Sequence, residues 1–272
     1  MSYFAFKNHN IYYDLQGIGK PILILNGIMM STKSWEPFLN SFTASNSLLR
    51  VDFIDQGASD KAKIEYTQDT QADLLSALLD YLKISKINVV GISYGGEVAL
   101  HFAIKYKQKV DRLLLFNTTA KTSDWLKDIG EGWIITAKTR DPRAYYFQTI
   151  PVIYSPHFYH SRIDWMKNRE KVLAPVFSNP VFLDAMERLT RSAETHDVRD
   201  SLQYIEAPTL IVTADEDYLT PMPEQKYLHQ NIKHSFLVQL PQVGHASMYE
   251  VPFVFASLVL GFINNPDVTY AI

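Results

Sequence analysis

The sequence predicts an α/β fold: a mainly parallel sheet with an antiparallel N-terminal hairpin and helices on both faces. Three observations carry that expectation. Short aliphatic or β-branched runs alternate with stretches of helical spacing along most of the 272 residues, the pattern of strand–helix–strand units. One run, Ile87-Asn88-Val89-Val90-Gly91-Ile92, climbs into Ser93-Tyr94-Gly95-Gly96, and helical spacing resumes at once on the far side. The length and an apolar share of 47% against 20% charged suit one large domain with an insertion, and argue against disorder.

The elements follow in order. Tyr3 to Lys7 and Ile11 to Leu15 read as a hairpin turning at Asn8-His9-Asn10. Ile22-Leu23-Ile24-Leu25, apolar at every position, reads as a strand covered on both faces. It ends in Asn26-Gly27-Ile28-Met29-Met30, and Ser31 to Trp35 leads into a helix. A strand at Leu48 to Asp52 stops in Asp55-Gln56-Gly57-Ala58-Ser59-Asp60, and Thr67 to Leu82 has helical spacing with Ala72, Leu75, Leu79 and Leu82 on one side. The strand before Ser93, its helix to about Lys107 and the run Arg112 to Phe116 come next. From Lys121 to Arg199 the alternation fails, with five of the thirteen prolines between helix-like pieces. That interval, 121–199, reads as a helical cap inserted over the carboxyl edge of a core made of 1–120 and 200–272. Alternation resumes with the strand Thr209 to Thr213, a helix near Pro223 to Gln230, the strand Ser235 to Leu240 and a helix from Glu250 to Ile263.

Composition excludes several functions. Net charge is −3 without a Lys/Arg run, so no nucleic acid and no anionic membrane is expected as partner. The longest apolar stretch, Val254 to Ile263, is too short to span a bilayer, and Met1 to Lys7 lacks the features of a signal peptide, so a cytoplasmic protein is expected. With no cysteine there is no disulfide, thiolate metal site or thiol nucleophile. The cap's His157 and His160 make a lone His-x-x-His, a weak metal signal, and no metal and no cofactor is expected. Oligomeric state is not legible.

The chemistry gathers around Gly91-x-Ser93-x-Gly95. A strand turns into a helix within so few residues only through a strained serine, and flanking glycines remove the clashes that would forbid the turn. The strain lifts the hydroxyl clear of the sheet, above a helix N-terminus. Such a serine needs a base, and the base needs an orienting acid. Of eight histidines, His245 in Val243-Gly244-His245-Ala246-Ser247 falls just past a strand at the same sheet edge, whereas His101 lies inside the helix after Ser93 and reads as structural. The acid is expected after the strand at Thr213, where Asp215, Glu216 and Asp217 compete and spacing does not choose among them. Two backbone N–H groups, from Tyr94 and from Ile28 in Asn26-Gly27-Ile28, are the natural oxyanion donors. Gly27, Met29 and Trp125 are expected to bind substrate.

Taken together these motifs resemble those of the α/β-hydrolase superfamily with a helical cap, over nearly the whole chain. The family's His-Gly-x appears as Asn26-Gly27-Ile28, its Asp-x-Arg-Gly-x-Gly-x-Ser as the shortened Asp55-Gln56-Gly57-Ala58-Ser59, and its Gly-x-x-Asp-x-x-x-Pro as Ala214-Asp215-Glu216-Asp217 with Pro221. The resemblance implies Ser93, Asp217 and His245 as catalytic residues. It also implies a serine hydrolase acting on a small-molecule ester, lactone or thioester, with C–C hydrolysis, perhydrolysis and slow-hydrolysing reception as alternatives. Asn26 and Phe116-Asn117-Thr118-Thr119-Ala120-Lys121 are similar, more weakly, to 3-oxoadipate enol-lactone hydrolases.

Overall fold

The computed structural model describes residues 2–265. Strands β1 (Ser2–Phe6), β2 (His9–Gly17), β3 (Lys20–Leu25), β4 (Asn46–Val51), β5 (Ile87–Ile92), β6 (Val110–Phe116), β7 (Thr209–Ala214) and β8 (Ser235–Leu240) form one eight-stranded sheet in the order β1-β2-β4-β3-β5-β6-β7-β8. β1 and β2 pair antiparallel, and β2 runs antiparallel to β4; every later pairing is parallel. The hairpin is tighter than its polar residues suggest. Phe6 pairs with His9, so Lys7 and Asn8 make the whole turn, with Lys7 at φ 52.

The helices are α1 (Leu39–Thr43), α2 (Gln68–Tyr81), α3 (Tyr94–Lys105), α4 (Asp124–Lys138), α5 (Pro142–Thr149), α6 (Pro156–Ser161), α7 (Ile163–Phe177), α8 (Pro180–Ala193), α9 (Met222–Asn231), α10 (Ser247–Glu250) and α11 (Pro252–Asn264). Two departures from the sequence reading have local causes. The helix expected after Ser31 is a 3-10 turn, Thr32–Phe38, before the short α1; Pro37 withholds the N–H that a continuous α-helix would use. The single C-terminal helix is two, because Val251 leaves the helical region at φ −131 and ψ 61 and Pro252 then starts α11. An aromatic cluster of Trp35, Phe38, Phe42, Phe116 and Phe255 joins that 3-10 turn, α1 and α11 to the sheet; the Phe116 and Phe255 rings are 4.7 Å apart.

Five helices, α4 to α8, lie between β6 and β7. Where this stretch leaves and rejoins the sheet, the two chain segments run side by side. Lys121 bridges Asp197, Thr122 N–H donates to the His196 carbonyl at 3.0 Å, and Val198 N–H donates to the Ala120 carbonyl at 2.9 Å. His196 is buried there against His101 of α3, their ring nitrogens 3.0 Å apart, and burial pushes its pKa down to about 4. No described helix is long and apolar enough to cross a membrane.

Candidate active site

The carboxyl ends of β3, β5, β6, β7 and β8 lie along one edge of the sheet, so the loops that leave them converge. Ser93 leaves β5 and immediately opens α3 with φ 54 and ψ −123, a backbone conformation that a non-glycine residue holds only under strain. The neighbouring glycines are required by contact. A Cβ on Gly95 would lie 2.6 Å from the Leu25 carbonyl oxygen, and one on Gly96 would lie 2.6 Å from the Thr118 Cβ. Thr118 also donates its hydroxyl to the Ser93 carbonyl at 2.9 Å, fixing the turn from the β6 side.

His245, in the loop after β8, brings Nε2 to 2.8 Å from Ser93 Oγ and Nδ1 to 2.9 Å from Asp217 Oδ2. Asp217 is the acid among the three competitors that reaches the ring; Asp215 is exposed and Glu216 only half-buried. The Asp217 carboxylate is wrapped in donors. Oδ1 accepts from Leu219 N–H at 2.9 Å and Thr220 N–H at 3.0 Å, while Oδ2 also accepts from the Thr220 hydroxyl at 2.8 Å and the Asn117 amide at 2.9 Å. Burial alone would push this carboxyl up, but the His245 ring and the Thr220 and Asn117 donors outweigh it and hold it below the usual carboxylate range. An acid so held stays ionised and fixes the tautomer in which His245 Nδ1–H faces Asp217, leaving Nε2 free to accept the Ser93 proton.

Several contacts of this cluster were not legible in the sequence. Asn117, at φ 49 after β6, donates to Asp217 and accepts from the Ser247 hydroxyl at 2.8 Å. Glu250 accepts from Gly244 N–H at 3.1 Å and from Ser155 N–H at 2.8 Å, tying the His245 loop to the segment before α6. Gly244 has no room for a side chain, since a Cβ there would lie 2.3 Å from the Ser155 nitrogen. The Asn-Gly at the end of β3 was legible as a signal for Asn26, but not its partners. Asn26 accepts from the Trp35 indole at 2.7 Å and donates to the Val51 carbonyl at 2.8 Å and to Gln56 at 3.0 Å; Gln56 in turn donates to the Gly27 carbonyl at 2.9 Å. The loop carrying Ile28 is thereby held from beneath.

An apolar pocket opens above Ser93 and His245. Gly27, Ile28, Met29 and Tyr94 lie in its wall. The N–H of Tyr94, at the first position of α3, is one that a helix leaves without an internal partner. Trp125 does not join them, which corrects the sequence reading. It is 62% exposed and donates its indole N–H to the Tyr218 carbonyl at 3.2 Å. The residues of α4 in the wall are Leu126, Lys127, Ile129, Gly130 and Trp133; Leu126, Ile129, Gly130 and Trp133 form a stripe at helical spacing from which Trp125 is displaced by one position. The helix α7 adds Arg169, Leu173, Val176 and Phe177. Among the described residues no group of three or more His, Asp or Glu side chains is placed to hold a metal.

A strained serine between strand and helix, a histidine on one side and a buried acid behind it, all on the carboxyl edge of a mostly parallel sheet, define a hydrolase of the α/β class. The chain matches the alpha/beta hydrolase fold family over residues 20–252 and belongs to that family. Among solved structures it is similar to MGS-M2, an alpha/beta hydrolase enzyme from a Medee basin deep-sea metagenome library, at 51% identity over 100% of both chains with a TM-score of 0.97. It is also similar to an enol-lactonase from Burkholderia xenovorans LB400, at 22% identity over 96% of this chain and 99% of that one with a TM-score of 0.82, a likeness of fold. Among known sequences, a putative carbamate hydrolase, RutD, of Azorhizobium caulinodans is 23% identical over 95% of this chain and 96% of its own.

Proposed function

We propose that this hydrolase cleaves a carboxylic ester, lactone or thioester of a small molecule through an acyl-enzyme on Ser93, with no cofactor. The observation that carries the reading is the continuous line from Ser93 Oγ through the His245 ring to Asp217, with steps of 2.8 Å and 2.9 Å. His245 Nε2 takes the hydroxyl proton as Ser93 Oγ attacks the carbonyl carbon, and Asp217 stabilises the imidazolium that results. The N–H groups of Ile28 and Tyr94 receive the oxyanion, one such donor being typically worth about 10²–10³ in kcat. The imidazolium returns its proton to the departing alkoxide or thiolate, and the ester of Ser93 is left. Water then attacks that ester with His245 again as base, releasing the acid and free Ser93.

The segment 121–199 acts in this reading as the cap that walls the substrate off from solvent, which supports ester-type chemistry on an apolar acyl or alkoxy group. The enol-lactonase and carbamate hydrolase among its relatives support carbonyl hydrolysis as the reaction class. Release of 4-nitrophenolate from acyl esters, beside lactone and acyl-thioester panels, tests the reading. Turnover by the intact chain that vanishes in Ser93→Ala is expected; no turnover on any of the three classes would overturn it.

A further inference from the structure

The pocket wall contains two buried donor atoms without a hydrogen-bond partner among the described residues, one of them on Arg169, whose side chain is half-buried as a whole. Arg169 Nε and Trp133 Nε1 are both shut off from solvent without a hydrogen-bond partner among the described residues. A buried donor left unpaired is expensive, and an unpaired buried charge more so. Trp133 itself is only 7% exposed. The other charged groups of the wall are accounted for. Lys127 faces Asp124, Glu194 pairs with Arg191, and His245 pairs with Asp217. Burial pushes the Glu97 carboxyl up to about 8, so it is mostly neutral near pH 7. Among the described residues no carboxylate lies within 4.0 Å of the Arg169 guanidinium. Glu250, next to Tyr249 in the chain, is already engaged by Ser155 and Gly244. The guanidinium instead lies over the Tyr249 ring at 4.9 Å and the Trp165 ring at 5.7 Å. Burial alone would lower its pKa, but the Tyr154 and Tyr249 hydroxyls beside it, by charge and by hydrogen bonding, more than offset this, and Arg169 stays charged.

We propose that Arg169 is a substrate-recognition residue and that the substrate is a monoanion: an ester, lactone or thioester bearing a carboxylate away from the scissile carbonyl. A carboxylate presents two planar acceptor oxygens, which suit the fork of a guanidinium. Arg169, a cation of the wall with no carboxylate within 4.0 Å among the described residues, is neutralised by one negative charge, whereas a phosphate dianion would bring a second charge that it does not match. The Trp133 indole is a further donor to polar oxygens of the bound molecule. The proposal rests on Ser93 as the acyl-accepting residue, because Arg169 and Ser93 line the same pocket and would hold two ends of one molecule.

The test compares 4-nitrophenyl monoesters of glutaric, adipic and suberic acid, each carrying a free carboxylate, with the same diesters capped by a methyl group. The intact chain is expected to favour the best-fitting free acid over its capped form in kcat/KM by about tenfold or more. Arg169→Gln is expected to collapse that ratio, and Arg169→Lys to restore part of it. A loss of packing lowers both rates and leaves the ratio as it was, so a ratio unchanged in Arg169→Gln overturns the proposal, as does an intact chain that prefers the capped esters. A second measurement does not need turnover. In the Ser93→Ala background, monomethyl adipate should bind more tightly than dimethyl adipate by calorimetry, and adding Arg169→Gln should remove the difference. Equal binding of the two overturns the proposal. If binding discriminates while the intact chain hydrolyses none of the esters, the acyl-enzyme reading falls and the anion site stands.

Discussion

Replacing Glu97 by Gln should stabilise the protein by an amount that grows with pH. Glu97 lies in the first turn of α3, one helical turn beyond Ser93, 5% exposed and in the pocket wall. Burial pushes its carboxyl from 4.5 up to about 8, with the Gln68 amide pulling it back only in part. In the unfolded chain the group ionises at its ordinary value. Between pH 4.5 and 8 the folded state therefore binds more protons than the unfolded one, and stability falls as pH rises. A displacement of about 3.5 in pKa, at about 1.36 kcal/mol each, amounts to about 5 kcal/mol, absent below pH 4.5 and complete above pH 8. The Gln side chain cannot ionise, and its NH₂ can donate to Gln68 Oε1, a buried acceptor that lacks a partner. That hydrogen bond adds roughly 1 kcal/mol. Thermal melts of both proteins at about pH 5 and about pH 8.5 read the effect. The two should lie within a few degrees of each other at the lower pH, and the variant should melt on the order of 10 °C higher at the upper one. A difference that does not change with pH, or a variant less stable at the higher pH, would refute the description of Glu97 as a buried neutral acid.

Other expectations follow from the same contacts. Asp217→Asn should lower kcat by up to about 10⁴ through the wrong histidine tautomer, while Asp215→Asn and Glu216→Gln, which lie off the proton path, should each lower it less than about tenfold; steady-state kinetics of the three variants gives the order. Asn117→Ala removes one donor from Asp217 and the acceptor of Ser247, and should lower kcat by about tenfold with little change in KM. His196 is held neutral by burial at a pKa of about 4, so the unfolded chain binds a proton that the folded one refuses between pH 6.5 and 4. Stability should fall by about 3 kcal/mol across that window, and His196→Asn should flatten the acid limb of the melting profile.

What the sequence disclosed was whatever is local. The strand, glycines and helix around Ser93 are contiguous, so the elbow is written in one short segment. His245 and Asp217 each follow a strand end, and parallel strands deliver their ends to one edge. The choice of Asp217 over Asp215 depends on which way each side chain leaves the loop, and came from resemblance rather than from spacing. The contacts of Asn117, Glu250 and Arg169 were not legible because each acquires its meaning from a residue far away in the chain: Asp217, Ser155 and the ring of Tyr249. Trp125 was expected to bind substrate, yet the stripe Leu126, Ile129, Gly130 and Trp133 marks the inward face of α4 and leaves it outside.

Covalent capture of Ser93 tests the central claim most directly. The intact protein, treated with a fluorophosphonate probe and measured by mass spectrometry, should gain one adduct, mapped by peptide sequencing to Ser93. Ser93→Ala should gain none and hydrolyse no ester, although it folds and melts like the parent because only one oxygen is removed. Labelling should also slow sharply in His245→Ala, since the hydroxyl then has no base within reach. An adduct on another residue, or ester turnover by Ser93→Ala above a few per cent of the parent, would contradict the account.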